Sequence, residues 1–254
     1  MELVHVNIDG PVALLTINRP AQLNALNKET ISSLSSSLDA LRENNAIRVL
    51  VITGAGEKAF VAGADIKEFV HFNAAQGQAL SAEGHQTLFD KVAHFPKPVI
   101  AAINGYALGG GLELALAAHI RLAASSAKLG LPEVTLGLIP GYGGTQRLTQ
   151  IVGKGVALEL MLSAQMIDAK RALAVGLVNH VYELEELQQE ALSLANRIAS
   201  NAPSAVQKVL EAVNYGTDLS TSLQKEIALF GACFGTPDFK EGTAAFIEKR
   251  KPKF

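Results

Sequence analysis

The segment Asn104-Gly105-Tyr106-Ala107-Leu108-Gly109-Gly110-Gly111-Leu112-Glu113 sets three glycines and a carboxyl group between an apolar run and a helical pattern. Glycine lets backbone approach a bound molecule closely and take angles that side chains forbid. A helix starting there presents unpaired N–H groups and the positive end of its dipole. That combination suits a developing negative charge. It also describes a tight strand-to-helix turn, and the glycines alone do not separate the two readings. Glu113 favours the chemical one, because it falls in the first turn beside the glycines in otherwise apolar surroundings. A first-turn glutamate can also serve the helix dipole alone.

Two more segments share this character. Ala59-Phe60-Val61-Ala62-Gly63-Ala64-Asp65-Ile66-Lys67 comes after an apolar strand, and its small residues bring backbone near whatever binds. Leu129-Gly130-Leu131-Pro132-Glu133 is succeeded by Gly137-Leu138-Ile139-Pro140-Gly141-Tyr142-Gly143-Gly144-Thr145. Glu133 has apolar neighbours, where a carboxyl tends to keep its proton, although a surface carboxylate after a proline has the same local sequence. Other motifs fail. Gly54-Ala55-Gly56-Glu57-Lys58-Ala59 matches the dinucleotide fingerprint in letters but opens no long helix. Gly153-Lys154 lacks the spacing and the Ser/Thr of a phosphate loop. The six histidines show no metal-ligand spacing, and no G-x-S-x-G element is present.

The elements that must position these segments can be read from periodicity. Val4, Val6 and Ile8 alternate, Asp9-Gly10-Pro11 turns, and Val12 to Ile17 runs apolar, which predicts a hairpin. Asn27 caps a helix with Ile31, Leu34, Leu38 and Leu41 on one face. Short buried strands are expected at Val49–Ile52, ending at Gly54, and at Val99–Ile103 and Ile120–Ala123, with helices over about Ala75–Ala93 and Gly110–Ala118. Strands alternating with helices imply an α/β fold with parallel pairing. Strands cease after about Leu187, and helices are expected over Leu187–Ser200, Ser204–Tyr215 and Leu219–Cys233. This divides the chain into a core, residues 1–190, and a helical region, residues 191–254. Three helices alone bury little surface, so another subunit is expected to cover their second apolar face.

Composition narrows the classes. The 254 residues are 48% hydrophobic and 18% charged, as in a globular protein with a full core. A net charge of -2 gives no basic excess for nucleic acid. The single cysteine, Cys233, permits no internal disulfide and reads as helix filler, consistent with a reducing, cytoplasmic compartment. Neither a leader-like start nor a membrane span is visible.

In these segments the chain resembles the enoyl-CoA hydratase/isomerase, or crotonase, family. The resemblance rests on Ala62-Gly63-Ala64-Asp65-Ile66-Lys67, on the glycine-rich run ending in Glu113, and on Pro132-Glu133, in that order. Ile17-Asn18-Arg19-Pro20 with Asn24-Ala25-Leu26, then Gly143 to Leu148, and the tail from Glu241-Gly242 to Arg250 extend it over the chain. It implies a crotonase-like spiral of ββα units with a C-terminal trimerisation region. The implied assembly is a homohexamer built as a dimer of trimers. Substrates would be coenzyme A thioesters, in the setting of fatty-acid β-oxidation. No metal or separate cofactor is expected, and neither nucleic acid nor membrane is an expected partner. The two amides of an oxyanion hole map onto Ala64 and Gly110, and the catalytic pair onto Glu113 and Glu133. Coenzyme A contacts are expected at Ala62, Ala64, Asp65, Ile66, Lys67 and Gly110, with Arg19, Phe246 and Lys249 as weaker candidates. The acyl pocket is expected between Phe69 and Phe89 and near Leu138-Ile139.

Retention of both carboxyls favours an enoyl-CoA hydratase, a carbon–oxygen lyase adding water syn to a 2-trans-enoyl-CoA. Glu113 is the candidate for activating water and Glu133 for protonating C2. An isomerase shifting the double bond needs only one carboxylate and is the nearest alternative. A thioester hydrolase and an RNA-binding relative are more distant ones.

Overall fold

The computed structural model describes residues 2–216 and 219–254; Met1, at the head of the expected alternation, lies outside them. The hairpin forms as β1 (Val4–Asp9) and β2 (Val12–Ile17), paired antiparallel with Val4 opposite Ile17. Asn27 Oδ1 accepts from the Thr30 N–H at 3.0 Å and caps α1 (Lys28–Glu43). Leu34, Leu38 and Leu41 are buried on one face of that helix, with Ile31 at the margin.

Beyond α1 the chain passes repeatedly between two sheets. It runs through β3 (Val49–Gly54) and β4 (Ala59–Val61), and then a long helical stretch. It continues through β5 (Val99–Ile103) and β6 (Tyr106–Leu108) into a helix, and then through β7 (Ile120–Ala124) and β8 (Lys128–Gly130). The first strand of each pair joins a six-stranded sheet ordered β1-β2-β3-β5-β7-β10, where β10 is His180–Tyr182. The second joins a four-stranded sheet ordered β4-β6-β8-β9, where β9 is Ile167–Asp168. Pairing is parallel throughout the large sheet beyond β2, and every residue of β3 and β5 is buried. Continuous apolar strands of this kind suit a parallel sheet covered on both faces.

Asparagines hold the corners. Asn104 donates to Gly54 O (2.9 Å) and Gly56 O (2.6 Å) and accepts from Gly54 N. Asn24 donates to Ala55 O and Ala59 O. Their amides replace ladder bonds that the backbone gives up when it leaves one sheet for the other. The Gly54–Ala59 stretch therefore links two strands and opens no helix.

The helix expected over Ala75–Ala93 is interrupted. It consists of α2 (Ala74–Gly84), a π turn (His85–Phe89) and α3 (Asp90–Ala93). The wider turn accompanies burial of Leu88, Phe89 and Val92 together. The remaining helices are α4 (Gly110–Ala117), α5 (Gly144–Val152), α6 (Lys154–Ser163), α7 (Ala169–Ala174), α8 (Leu184–Ala199), α9 (Pro203–Val213), α10 (Leu219–Cys233) and α11 (Pro237–Ile247). Pro203 starts α9 in the first turn, where its missing N–H costs nothing. In α8, Leu187, Ala191, Ala195 and Ala199 form a buried stripe of mostly small residues that lies on the large sheet. Residue 190 thus falls inside a helix belonging to the core packing. α9 buries none of its residues and packs on α10 and α11.

Candidate active site

Two backbone segments meet beyond the small sheet. After β4, Gly63 turns with φ +104°, and its carbonyl accepts from Leu26 N–H at 2.9 Å. Asp65 N–H donates back to Leu26 O at 2.7 Å. In this parallel bridge Leu26 engages both its own groups, and the Ala64 N–H between them has no acceptor among the described residues. After β6, Gly109 takes φ +49°, and its N–H goes to Gly130 O. Gly110 opens α4, so its N–H is a helix-terminal donor and also has no acceptor among the described residues. A Cβ placed on Gly110 would lie 3.7 Å from Ala64 N. The two free amides are therefore neighbours.

Glu113 is 1% exposed. Its Oε1 accepts from Tyr142 N–H at 2.7 Å and from Gly144 N–H at 2.8 Å, the latter the first residue of α5. Burial raises its pKa to about 7. The two amide bonds and Arg147 oppose that rise, and Glu133 adds to it. Glu133 opens a 3-10 turn (Glu133–Leu136) after Pro132. Its Oε1 lies 2.8 Å from where a Gly109 Cβ would stand, and its buried Oε2 has no hydrogen-bond partner among the described residues. Burial raises this carboxyl too. Tyr142 stacks on Phe89 at 4.4 Å between ring centroids and 9° between planes. Burial, then Glu113, pushes its hydroxyl up to about 12.

A cleft of about 590 Å³ reaches this place, lined by Ala64 and Tyr142 with Leu26, Ile31, Phe69, Phe72, Leu80 and Gly84. Chemically, the arrangement offers two neighbouring free donors for an anionic oxygen and two carboxyls of unlike hydrogen bonding, beside a mostly apolar cleft.

The profile of the enoyl-CoA hydratase/isomerase family matches residues 7–254. The chain belongs to that family. It is 47% identical to the short-chain-enoyl-CoA hydratase of Clostridium acetobutylicum, over 99% of this chain and 97% of that protein. Identity with the crotonyl-CoA hydratase of Syntrophomonas wolfei is 46%, over 96% of this chain and 94% of that one. A crystal structure of enoyl-CoA hydratase from Bacillus anthracis superposes with a TM-score of 0.95 at 43% identity, covering 99% and 98% of the two chains. The crotonase-like α/β spiral expected from the sequence is the observed fold.

Within this enoyl-CoA hydratase/isomerase site, the structure brings Ala64, Gly110, Glu113 and Glu133 together. Asp65 lines the cleft, with its carboxylate 3.2 Å from the Arg19 guanidinium. The Ala62 N–H is committed to Leu23 O. Ile66 and Lys67 are exposed in the 3-10 turn beside the cleft. Phe69 lines the cleft as expected, but Leu138 and Ile139 are exposed and outside its lining. Phe246 in the last turn of α11 and Lys249 just beyond it are not part of that lining. Sequence reasoning gave no role to the Tyr142 and Gly144 amides that hold Glu113. The signal was present: Gly141-Tyr142-Gly143-Gly144 is a second glycine-rich entry to a helix.

Proposed function

We propose that this protein is an enoyl-CoA hydratase, adding water reversibly and syn to a 2-trans-enoyl-CoA to give a 3-hydroxyacyl-CoA. The observation that carries the reading is the pairing of two unlike carboxyls at the mouth of two unengaged amides. One carboxyl, Glu113, accepts two N–H bonds on one oxygen; the other, Glu133, keeps a buried oxygen without a partner among the described residues.

Addition of water at C3 builds negative charge on the thioester oxygen. The Ala64 and Gly110 amides receive that charge, and loss of one such donor costs about 3–4 kcal/mol of barrier. Glu113 is the base: its two N–H bonds favour the ionised form that burial opposes, so it titrates near neutrality. Glu133 is the acid for C2: burial favours its protonated form, and its Oε2 has no donor to stabilise a charge. Glu133 adds to the rise at Glu113, behind burial and the two amide bonds. Coenzyme A lies along Ala62–Lys67, and the acyl group enters the apolar cleft. The resemblance further supports a dimer of trimers, a cytoplasmic location and a place in fatty-acid β-oxidation.

The test is the loss of the conjugated-thioester absorbance with crotonyl-CoA, combined with product identification. A 3-hydroxyacyl thioester supports the reading. A shifted double bond or free coenzyme A with no hydration product overturns it.

A further inference from the structure

We propose that Arg147, anchored by Asp90, is a positioning residue that fixes the Tyr142 carbonyl so that the amides on either side both reach Glu113. This rests on the hydratase reading of the site.

The geometry is a fork with two prongs. Arg147 Nη1 donates to Tyr142 O at 2.8 Å, and Nη2 donates to Asp90 Oδ1 at 2.7 Å. Tyr142 N–H and Gly144 N–H are the two donors to Glu113 Oε1. The peptide joining Tyr142 to Gly143 lies between those two donor peptides, and its carbonyl is the one Arg147 holds. Gly143 has φ +98°, so the stretch is sharply bent and its donors converge on one oxygen. The Gly143 carbonyl is held from the α5 side by the Gln146 and Arg147 N–H groups, and the guanidinium holds the Tyr142 carbonyl on the other side of the bend. A planar guanidinium suits the task, since it can bind a carbonyl and a carboxylate in fixed relative directions.

The anchor comes from a different part of the fold. Asp90 is the first residue of α3, directly after the π turn, and its Oδ1 also faces His85 Nδ1 at 3.3 Å. Arg147 lies on α5. The side chain is 17% exposed and the carboxylate 47%, so the ion pair itself adds little stability. Its value is directional. Among the described residues, the charged groups facing Glu113 are Glu133 from the 3-10 turn and Arg147 from α5, with the Tyr142 phenol from the intervening loop. Arg147 is thus the one cation of that set, and its direct charge weighs less on Glu113 than the two amide bonds that it helps to position.

The experiment measures pH profiles of kcat and KM for crotonyl-CoA in wild type, Arg147→Gln, Arg147→Lys and Asp90→Asn. Arg147→Gln is expected to lower kcat about 10- to 100-fold, with KM changed less than about threefold because the Ala64 and Gly110 donors remain. Its acidic limb, which reports ionisation of Glu113, is expected to move up, because the two amide bonds that favour the ionised carboxyl are no longer both held. Arg147→Lys keeps the charge and loses the fork, so the low kcat and the raised limb are both expected to persist. If Lys restores both, the fork is irrelevant and the proposal fails. It fails equally if folded Arg147→Gln keeps wild-type kcat, or if the loss appears in KM alone. Should Arg147→Gln not fold, Asp90→Asn carries the test, with a smaller kcat loss at unchanged KM supporting the clamp and none overturning it. Absence of hydration in wild type would instead remove the functional reading itself.

Discussion

Glu113 is a buried carboxyl whose ionisation is set by a contest. Desolvation lifts its pKa to about 7, while two amide N–H bonds pull down. This has a consequence for stability as well as rate. An unfolded carboxyl titrates near its ordinary value of 4.5, so between about pH 4.5 and 7 the folded state holds the proton more tightly. Stability from this group is therefore fully present at low pH and falls as pH rises through that window. Glu113→Gln mimics the protonated form and should not show the fall. Denaturant titrations should find the variant more stable than wild type at pH 8, by up to about 3 kcal/mol, with the gap closing towards pH 5. An equal gap at both pH values would mean that Glu113 is not the group titrating. Hydration should drop about 10³-fold in the same variant. Glu133→Gln is expected to lose about 10²- to 10³-fold in kcat while product-analogue binding stays within a few fold, as calorimetry can check.

At the scale of elements, the three glycines at the entry to α4 have different tasks. Gly109 carries the positive φ, and any Cβ there would run into Glu133. Gly111 lets α4 lie on β4: a Cβ would stand 1.9 Å from Val61 O, which is backbone and cannot step aside. Gly111→Ala should therefore destabilise the fold by about 3 kcal/mol, seen as a melting temperature lower by roughly 10 °C. Gly110 is under no such pressure, since its Cβ would make ordinary contact with Tyr142. Its contribution is the amide. Proline is tolerated at the first position of a helix, so Gly110→Pro should keep the fold by circular dichroism and lose at least about 10²-fold in rate; a loss under tenfold would remove that amide from the oxyanion site. Parts of this were legible in sequence. The hairpin, α1, β3 and β5 announce themselves by alternation, by a cap, or by apolar runs, and β7 does so despite Arg121. The small sheet does not, because β4, β6 and β8 are three residues each and β9 two, too short for any period to show. The π turn and the clasp of Tyr142 and Gly144 on Glu113 depend on contacts remote in sequence, which local pattern does not encode.

For the molecule as a whole, the last helices pose the question of what covers them. Val209 and Val213 on α9, Ile227 and Phe230 on α10, and Phe246 and Ile247 on α11 are all more than half exposed. The described polar ties back to the core are few: Asn214 to Ala93 O, and Arg48 to Phe254 O. Large apolar side chains clustered on packed helices mark surfaces that associate. The proposed dimer of trimers supplies such a cover, and a closed cyclic contact would bury the same patch on every copy. Sedimentation should then give a mass near six chains for the wild type. Ile227→Asp would place an unpaired carboxylate in that apolar contact, which costs several kcal/mol when water is excluded. The expected result is a smaller, concentration-dependent species with a lower melting temperature. The sheets and α8 carry their own buried core, so the variant should keep its secondary structure. A wild type that sediments as a monomer, or an Ile227→Asp variant with unchanged mass, would show that this face of α10 is not where subunits meet.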